Sequence, residues 1–290
     1  MRPNPLSEVL NHQRRWASLA GVAVDEKGYV QTVENNLQRP LSASALKAFT
    51  VGKGSELRDS DRAPAKMRAL RSSSALCVNV FDQWSSTDCG SILAALGVDD
   101  TAVSIRFEAQ YPTKVSLANP INPPPHLDIA IRLRSGVDVG IESKFTEWLS
   151  YRQREDRKTA EKQSFPKYLA DGKRLWSDQG LPRCQALVES IHSGVEHFSY
   201  LNAPQLLKHA LGLGTQCGKE FSLLYLFYNW PCAQAATHSE EIARFASVVG
   251  QEIRFRALTY QALFERLCKE SAHVDGGYLQ YLRQRYFAAA

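Results

Sequence analysis

The chain has 290 residues, 44% of them apolar and 10% aromatic, a composition that can bury a core and excludes intrinsic disorder. The length allows one large domain or a domain with an extension. A net charge of +5 and a pI near 8.8 are compatible with a polyanionic partner without requiring one.

Six cysteines (Cys77, Cys89, Cys184, Cys217, Cys232 and Cys268) are scattered with no C-x-x-C pair, which argues against a zinc or redox motif and for reduced packing thiols. The opening MRPNPLSEVLNHQRRW lacks the apolar stretch of a secretory signal, and the longest apolar run, Phe221 to Trp230, is too short to span a bilayer. These features lead us to expect a soluble, cytoplasmic protein without a membrane partner. No repeat or low-complexity tract is present.

In chain order, residues 1–71 read as an irregular extension with some helix. Ser42 to Thr50 is a helix candidate capped by Ser42 or Ser44. The loop Gly52 to Pro64 contains Gly-Lys-Gly-Ser, whose spacing does not fit a phosphate-binding loop. Ser72 to Trp84 pairs a serine cap with apolar residues at helical spacing. Ser91 to Leu96 is a second short helix candidate. Val103 to Tyr111 alternates as a half-buried strand, and the proline-rich connector Asn119 to Pro125 can form neither helix nor central strand. Two more strands follow, His126 to Arg134 and Val137 to Phe145. Ser150 to Trp176 is charged and helical in parts, with a break near Pro166. Asn202 to Leu213 is a capped helix ended by Gly212 or Gly214. Phe221 to Trp230 is a buried strand. Ser239 to Val249 is a helix with Glu240 and Glu241 at its N-terminal dipole; Ile253 to Tyr260 is a strand and Gln261 to Glu270 a helix. Strands interleaved with helices predict an α/β or α+β class with a mixed sheet.

The central pair of strands carries the chemistry. They are joined by Arg134-Ser135-Gly136, a three-residue loop whose last position demands a positive φ and holds glycine. That loop sets Leu133 against Val137, Ile131 against Val139 and Ile129 against Ile141. On the other face Arg132 meets Asp138, Ala130 meets Gly140, and Asp128 meets Glu142. Directly opposed carboxylates stand roughly 5 Å apart and repel unless a cation lies between them. Hard oxygen ligands at that separation suit Mg²⁺, which would lower the pKa of a bound water and polarise a phosphoryl oxygen. Lys144, two residues past Glu142, shares its face and can reach an attacking water or developing charge. The small Ala130 and Gly140 are expected to leave room for a nucleic-acid backbone.

The order Asp128, then Glu142-Ser143-Lys144 on a hairpin resembles the PD-(D/E)XK nuclease superfamily, the restriction-endonuclease-like fold. SSSALCVNVF at 72–81, HLDIAI at 126–131, ESKFTE at 142–147 and QLLKHALGL at 205–213 are similar to a bacterial branch of uncharacterised restriction-endonuclease-like proteins. The motif's proline, Pro125, stands three residues before Asp128 rather than next to it. The resemblance implies an α/β fold with a mixed central sheet flanked by helices, spanning residues 72–290 behind a mostly helical or irregular extension, 1–71. It also implies Mg²⁺-dependent hydrolysis of phosphodiester bonds, with Mn²⁺ able to substitute. Asp128 and Glu142 would be metal ligands, Lys144 the catalytic lysine and the Ser143 carbonyl a further ligand. Glu108, on the polar face of the preceding strand, is either a third acidic ligand or a surface glutamate. Gln205 and Lys208 either orient water and bind phosphate or merely begin a helix. His126 is either a general base or a surface histidine, and Glu147 either supports the site or caps a helix.

The basic run Arg152, Arg154, Arg157, Lys158, Lys162, Lys167, Lys173 and Arg174 is either a solvated helix or a backbone-binding surface. Tyr151, Tyr168 and Trp176 interleave with it and are expected in the core. The expected partner is nucleic acid, foremost double-stranded DNA cut in a restriction or defence setting. Cleavage of both strands by a single-site chain would favour a homodimer. An RNA nuclease, an exonuclease on the same site, and a non-catalytic nucleic-acid-binding module remain open. No helix-turn-helix or zinc module supplies sequence specificity.

Overall fold

A computed structural model describes residues 5–52, 55–61, 63–85, 88–118, 123–149 and 159–287. Five strands form one sheet in the order β1 (Ala102–Gln110), β2 (His126–Leu133), β3 (Asp138–Lys144), β4 (Phe221–Phe227) and β5 (Arg256–Thr259). The first three pair antiparallel, while β3, β4 and β5 run parallel. Helices α1 (Pro5–Leu19), α2 (Ala43–Val51), α3 (Ser73–Phe81) and α4 (Gly90–Leu96) precede the sheet. Of the helices after β1, those used below are α5 (Pro182–Ser193), α6 (Ala203–Cys217), α7 (Gln234–Val249), α8 (Tyr260–Lys269) and α9 (Gly276–Leu282). This is an α/β chain with a mixed sheet flanked by helices and a helical N-terminal part, as expected.

Alternation along the strands sorts the core onto two faces. Ile129, Ile131, Val139 and Ile141 pack with α2, α3 and α8. Leu223, Tyr225 and Phe227 on β4 pack with α5, α6 and α7 on the other side. The β2–β3 register is the predicted one. Ile129 pairs with Ile141, Ala130 with Gly140, Ile131 with Val139 and Arg132 with Asp138, around a turn in which Gly136 has φ +91°. Arg132 Nε lies 2.8 Å from Asp138 Oδ1, so the cross-strand charge pair forms.

One expectation fails at this sheet. Ala130 and Gly140 leave no opening, because Leu127 and Leu213 fill the space. A Cβ on Gly140 would sit 2.7 Å from Leu127 Cδ1 and 3.0 Å from Leu213 Cδ1. Leu127 reaches this face through a reversal that alternation does not foresee. Phe107 and Ile129 lie in one core cluster, yet their neighbours two residues on, Ala109 and Leu127, lie in the other. At the crossing point Glu108 adopts a left-handed backbone, φ +47°, which is rare for a side chain of its kind.

Several boundaries also move. Gly212 and Gly214 do not end α6, which runs on to Cys217 and stops at Gly218 (φ +61°). Gly212 marks a close approach instead: a Cβ there would meet the Tyr111 carbonyl oxygen at 2.7 Å. α7 begins at Gln234, so Glu240 and Glu241 are interior rather than at its dipole. Glu241 turns inward and accepts backbone N–H bonds from Ser199, Tyr200 and Leu201 at 2.6, 2.8 and 2.8 Å. The strand expected over 253–260 is only Arg256–Thr259, and the one expected over 221–230 ends at Phe227. Ser42 caps α2, and Tyr168 and Trp176 are buried as expected. Of the thiols, Cys77 and Cys184 are buried and the other four half-buried, and none is in a disulfide.

The N-terminal third packs into the same core, with Val9, Val33, Phe49 and Met67 in the cluster that holds Ile129. A buried arginine fastens it there. Arg285, in a π-helical turn after α9, donates to the Asn36 carbonyl (2.7 Å) and to Gln13 Oε1 (3.3 Å), and lies 4.1 Å from the Trp16 ring.

Candidate active site

The predicted residues meet at the open end of the β2–β3 hairpin. Beyond the Ile129–Ile141 pair, Asp128 Oδ2 accepts the Ser143 N–H at 2.7 Å, so a side chain closes the strand pairing there. Asp128 is half-buried and Glu142 is 1% exposed. Lys144 Nζ donates to Glu142 Oε1, and His209 Nε2 on α6 lies 2.8 Å from Glu142 Oε2. The hairpin end is anchored to α3: the Phe145 N–H donates to Ser73 Oγ (3.0 Å) and to Glu147 Oε2 (2.9 Å), while Ser73 Oγ also donates to Glu147. Glu147 therefore works in the scaffold.

Burial and the neighbouring Glu142 push the Asp128 carboxyl well up from its ordinary range, against Lys144 and the Ser143 amide. Burial also raises the Glu142 carboxyl, but Lys144 and His209 outweigh it and hold the group at about 2. Lys144 is pulled down by burial and carried up further by Glu142 and Asp128. The cluster is thus a buried ion pair with a second, strained carboxyl beside it.

A family profile described as Restriction Endonuclease associating with ARP matches residues 14–287. The chain belongs to this family. No curated protein and no solved structure matches it. In this family member a cleft of about 380 Å³ opens beside the cluster, lined by Glu108, Pro125, His126, Gln205, Lys208 and His209. Glu108, His126, Gln205 and Lys208 therefore border one space. His126 Nδ1 stands 3.6 Å from Glu108 Oε2. Burial, then Lys167, lowers Lys208 to about 8, and its ammonium sits 5.6 Å from the Phe165 ring centre. Ser143 points its hydroxyl away from the cleft, to Tyr260 Oη at 2.6 Å.

Tyr151, Arg152, Arg154, Arg157 and Lys158 lie outside the described residues, as do Asn119 to Asn122 of the connector. Sequence reasoning missed two residues. His209 follows Gln205 by one helical turn, so the period of α6 would have placed it on the cleft. Glu56, from the N-terminal segment, carries a carboxyl raised by burial, with Glu108 adding to the rise. No local pattern announces that contact.

Among the described residues no three His, Cys, Asp or Glu side chains form a ready cage for a metal ion. The donor set nonetheless suits Mg²⁺, which takes one or two carboxylates and completes its shell with water and phosphate oxygens. Asp128 and Glu142 bring two carboxyl groups together at the hairpin end, where burial and then Glu142 raise Asp128 against Lys144 and the Ser143 amide.

Proposed function

We propose that the chain is a metal-dependent nuclease with a PD-(D/E)XK site that hydrolyses phosphodiester bonds of DNA. The observation that carries this reading is the cluster of four side chains at the hairpin end. Glu142 is buried between Lys144 and His209, and Asp128 crowds it from the neighbouring strand. Asp128 and Glu142 would hold Mg²⁺ or Mn²⁺, with the Ser143 carbonyl and Glu108 as further ligands. The bound ion would supply an acidified water and a Lewis acid for the phosphoryl group. Lys144 Nζ orients the attacking water and balances the charge that grows on the phosphoryl oxygens. His209 fixes the Glu142 carboxylate, while Gln205 and Lys208 face the phosphates across the cleft. His126 positions Glu108. Double-stranded DNA, endonucleolytic cutting in a restriction setting, a cytoplasmic location and a homodimer complete the reading, with its origin in the bacterial branch named above.

The test is cleavage of supercoiled plasmid, linear duplex, single-stranded DNA and RNA with Mg²⁺, Mn²⁺ or EDTA. Plasmid nicking or linearisation that requires the metal is expected. Lys144→Met should slow it by about 10²-fold or more. RNA cut in preference to DNA would replace the substrate, and metal-independent cleavage would sink the mechanism.

A further inference from the structure

A second cavity, of about 410 Å³, opens beyond the C-terminal end of β4. Its floor is the chain leaving β4, where Tyr228 and Trp230 stack with ring centres 4.3 Å apart. Its wall is the face of α1 that carries Glu8, Asn11, His12 and Arg15, residues brought together by helical spacing. His12 meets Trp230 edge-on at 6.4 Å.

The cavity is tied to the catalytic strand by backbone. The Tyr228 N–H donates to the Lys144 carbonyl at 2.8 Å, and Trp230 Nε1–H donates to the Phe145 carbonyl at 3.1 Å. The floor therefore begins one hydrogen bond from the residue that faces the scissile phosphate in our reading. The rim is chemically open: the side chains of Glu8, Asn11 and Arg15 are exposed and make no hydrogen bond or ion pair with other described residues.

An occupant must present a flat face to the aromatic floor, a donor-and-acceptor edge to Asn11 and Glu8, and an anion to Arg15. A nucleobase still joined to its phosphate meets all three demands. A base inside a duplex cannot enter, because its faces and edge are already engaged, so it must be turned out of the stack. We propose that this cavity receives a single unpaired nucleobase of the nucleic acid bound at Glu142 and Lys144, and so selects where that strand is cut. The proposal rests on the nuclease reading and deepens it.

The experiment measures fluorescence anisotropy of labelled duplexes bound by full-length Glu142→Gln protein in EDTA. One duplex is fully paired and the other carries a one-nucleotide bulge. The bulged duplex should bind about ten-fold more tightly. That preference should vanish in Asn11→Ala/Arg15→Ala, which alters exposed helix positions and spares the core, and in Trp230→Leu. Equal binding of both duplexes, or a preference that survives in the α1 double variant, overturns the proposal. The measurement needs no cleavage, so the two readings fail separately. A bulge preference in a wild-type protein that cuts nothing with Mg²⁺ or Mn²⁺ keeps the cavity and removes only the nuclease.

Discussion

Lys144→Met removes the ammonium that neutralises Glu142 while keeping much of its stem's packing. The Glu142 side chain is 2% exposed, so the carboxylate cannot turn to water for compensation. Breaking a buried ion pair from one side costs ~3–5 kcal/mol, because the surviving charge stays desolvated. His209, 2.8 Å away, still compensates part of it, so we expect about 3 kcal/mol, the lower end of that range. The converse change is milder. Glu142→Gln leaves an ammonium whose side chain is 14% exposed and feels Asp128 and Glu147, and should cost about 1 kcal/mol. The double variant should then be more stable than Lys144→Met alone, since no orphaned charge remains. Urea denaturation of the four metal-free proteins at neutral pH gives all of these values. A Lys144→Met loss below about 1 kcal/mol, or strictly additive effects, would refute the buried-pair account.

Other consequences can be checked independently. Burial lowers His238, which is fully enclosed and stacked 4.3 Å from Trp148, to about 4. Its folded pKa is below the unfolded value of 6.5, so its stabilisation is complete above 6.5 and is lost as pH falls towards 4. The loss reaches about 3 kcal/mol, and urea midpoints against pH should be flatter in His238→Phe over that interval. Glu108→Gly should stabilise the fold by about 1 kcal/mol relative to Glu108→Ala, because glycine accepts the φ of +47°; equal melting of the two variants would contradict the strain. Gly212→Ala should destabilise more than Gly140→Ala. The first meets a backbone oxygen at 2.7 Å, whereas the second meets the mobile ends of two leucines. Gly140→Ala should instead lower the nuclease activity proposed above by pushing Leu127 against its neighbour Asp128, and unchanged activity would argue against that coupling.

The hairpin was legible because two local rules agreed: a three-residue loop with glycine last, and a period of two that matched apolar to apolar. Those rules yielded the pairing of Ile129 with Ile141 and the approach of Asp128 to Glu142. They did not reveal that Leu127 and Ala109 change faces. That reversal depends on the left-handed turn at Glu108, and glutamate carries no signal for such a backbone. Gly212 was misread for a related reason. A glycine that ends a helix and one that lets a helix touch another chain segment look alike in sequence, and only the 2.7 Å approach to Tyr111 separates them. Glu241 read as a dipole partner but serves as a tertiary acceptor, because α7 begins further upstream at Gln234. His209 was within reach of helical periodicity; Glu56 was not, since its neighbour Glu108 comes from a distant segment.

The buried arginine near the end of the chain has a bearing on how the protein comes into being. Arg285 pairs with Gln13 across a separation of 272 positions, and the same side chain covers Trp16 and binds the Asn36 carbonyl. A ribosome delivers Gln13, Trp16 and Asn36 long before this guanidinium. Until Arg285 emerges, α1 lacks the group that saturates its polar and aromatic contacts, and the long-range closure waits for it. The seat of the first helix on the core would thus be completed only once the Arg285 guanidinium is in place.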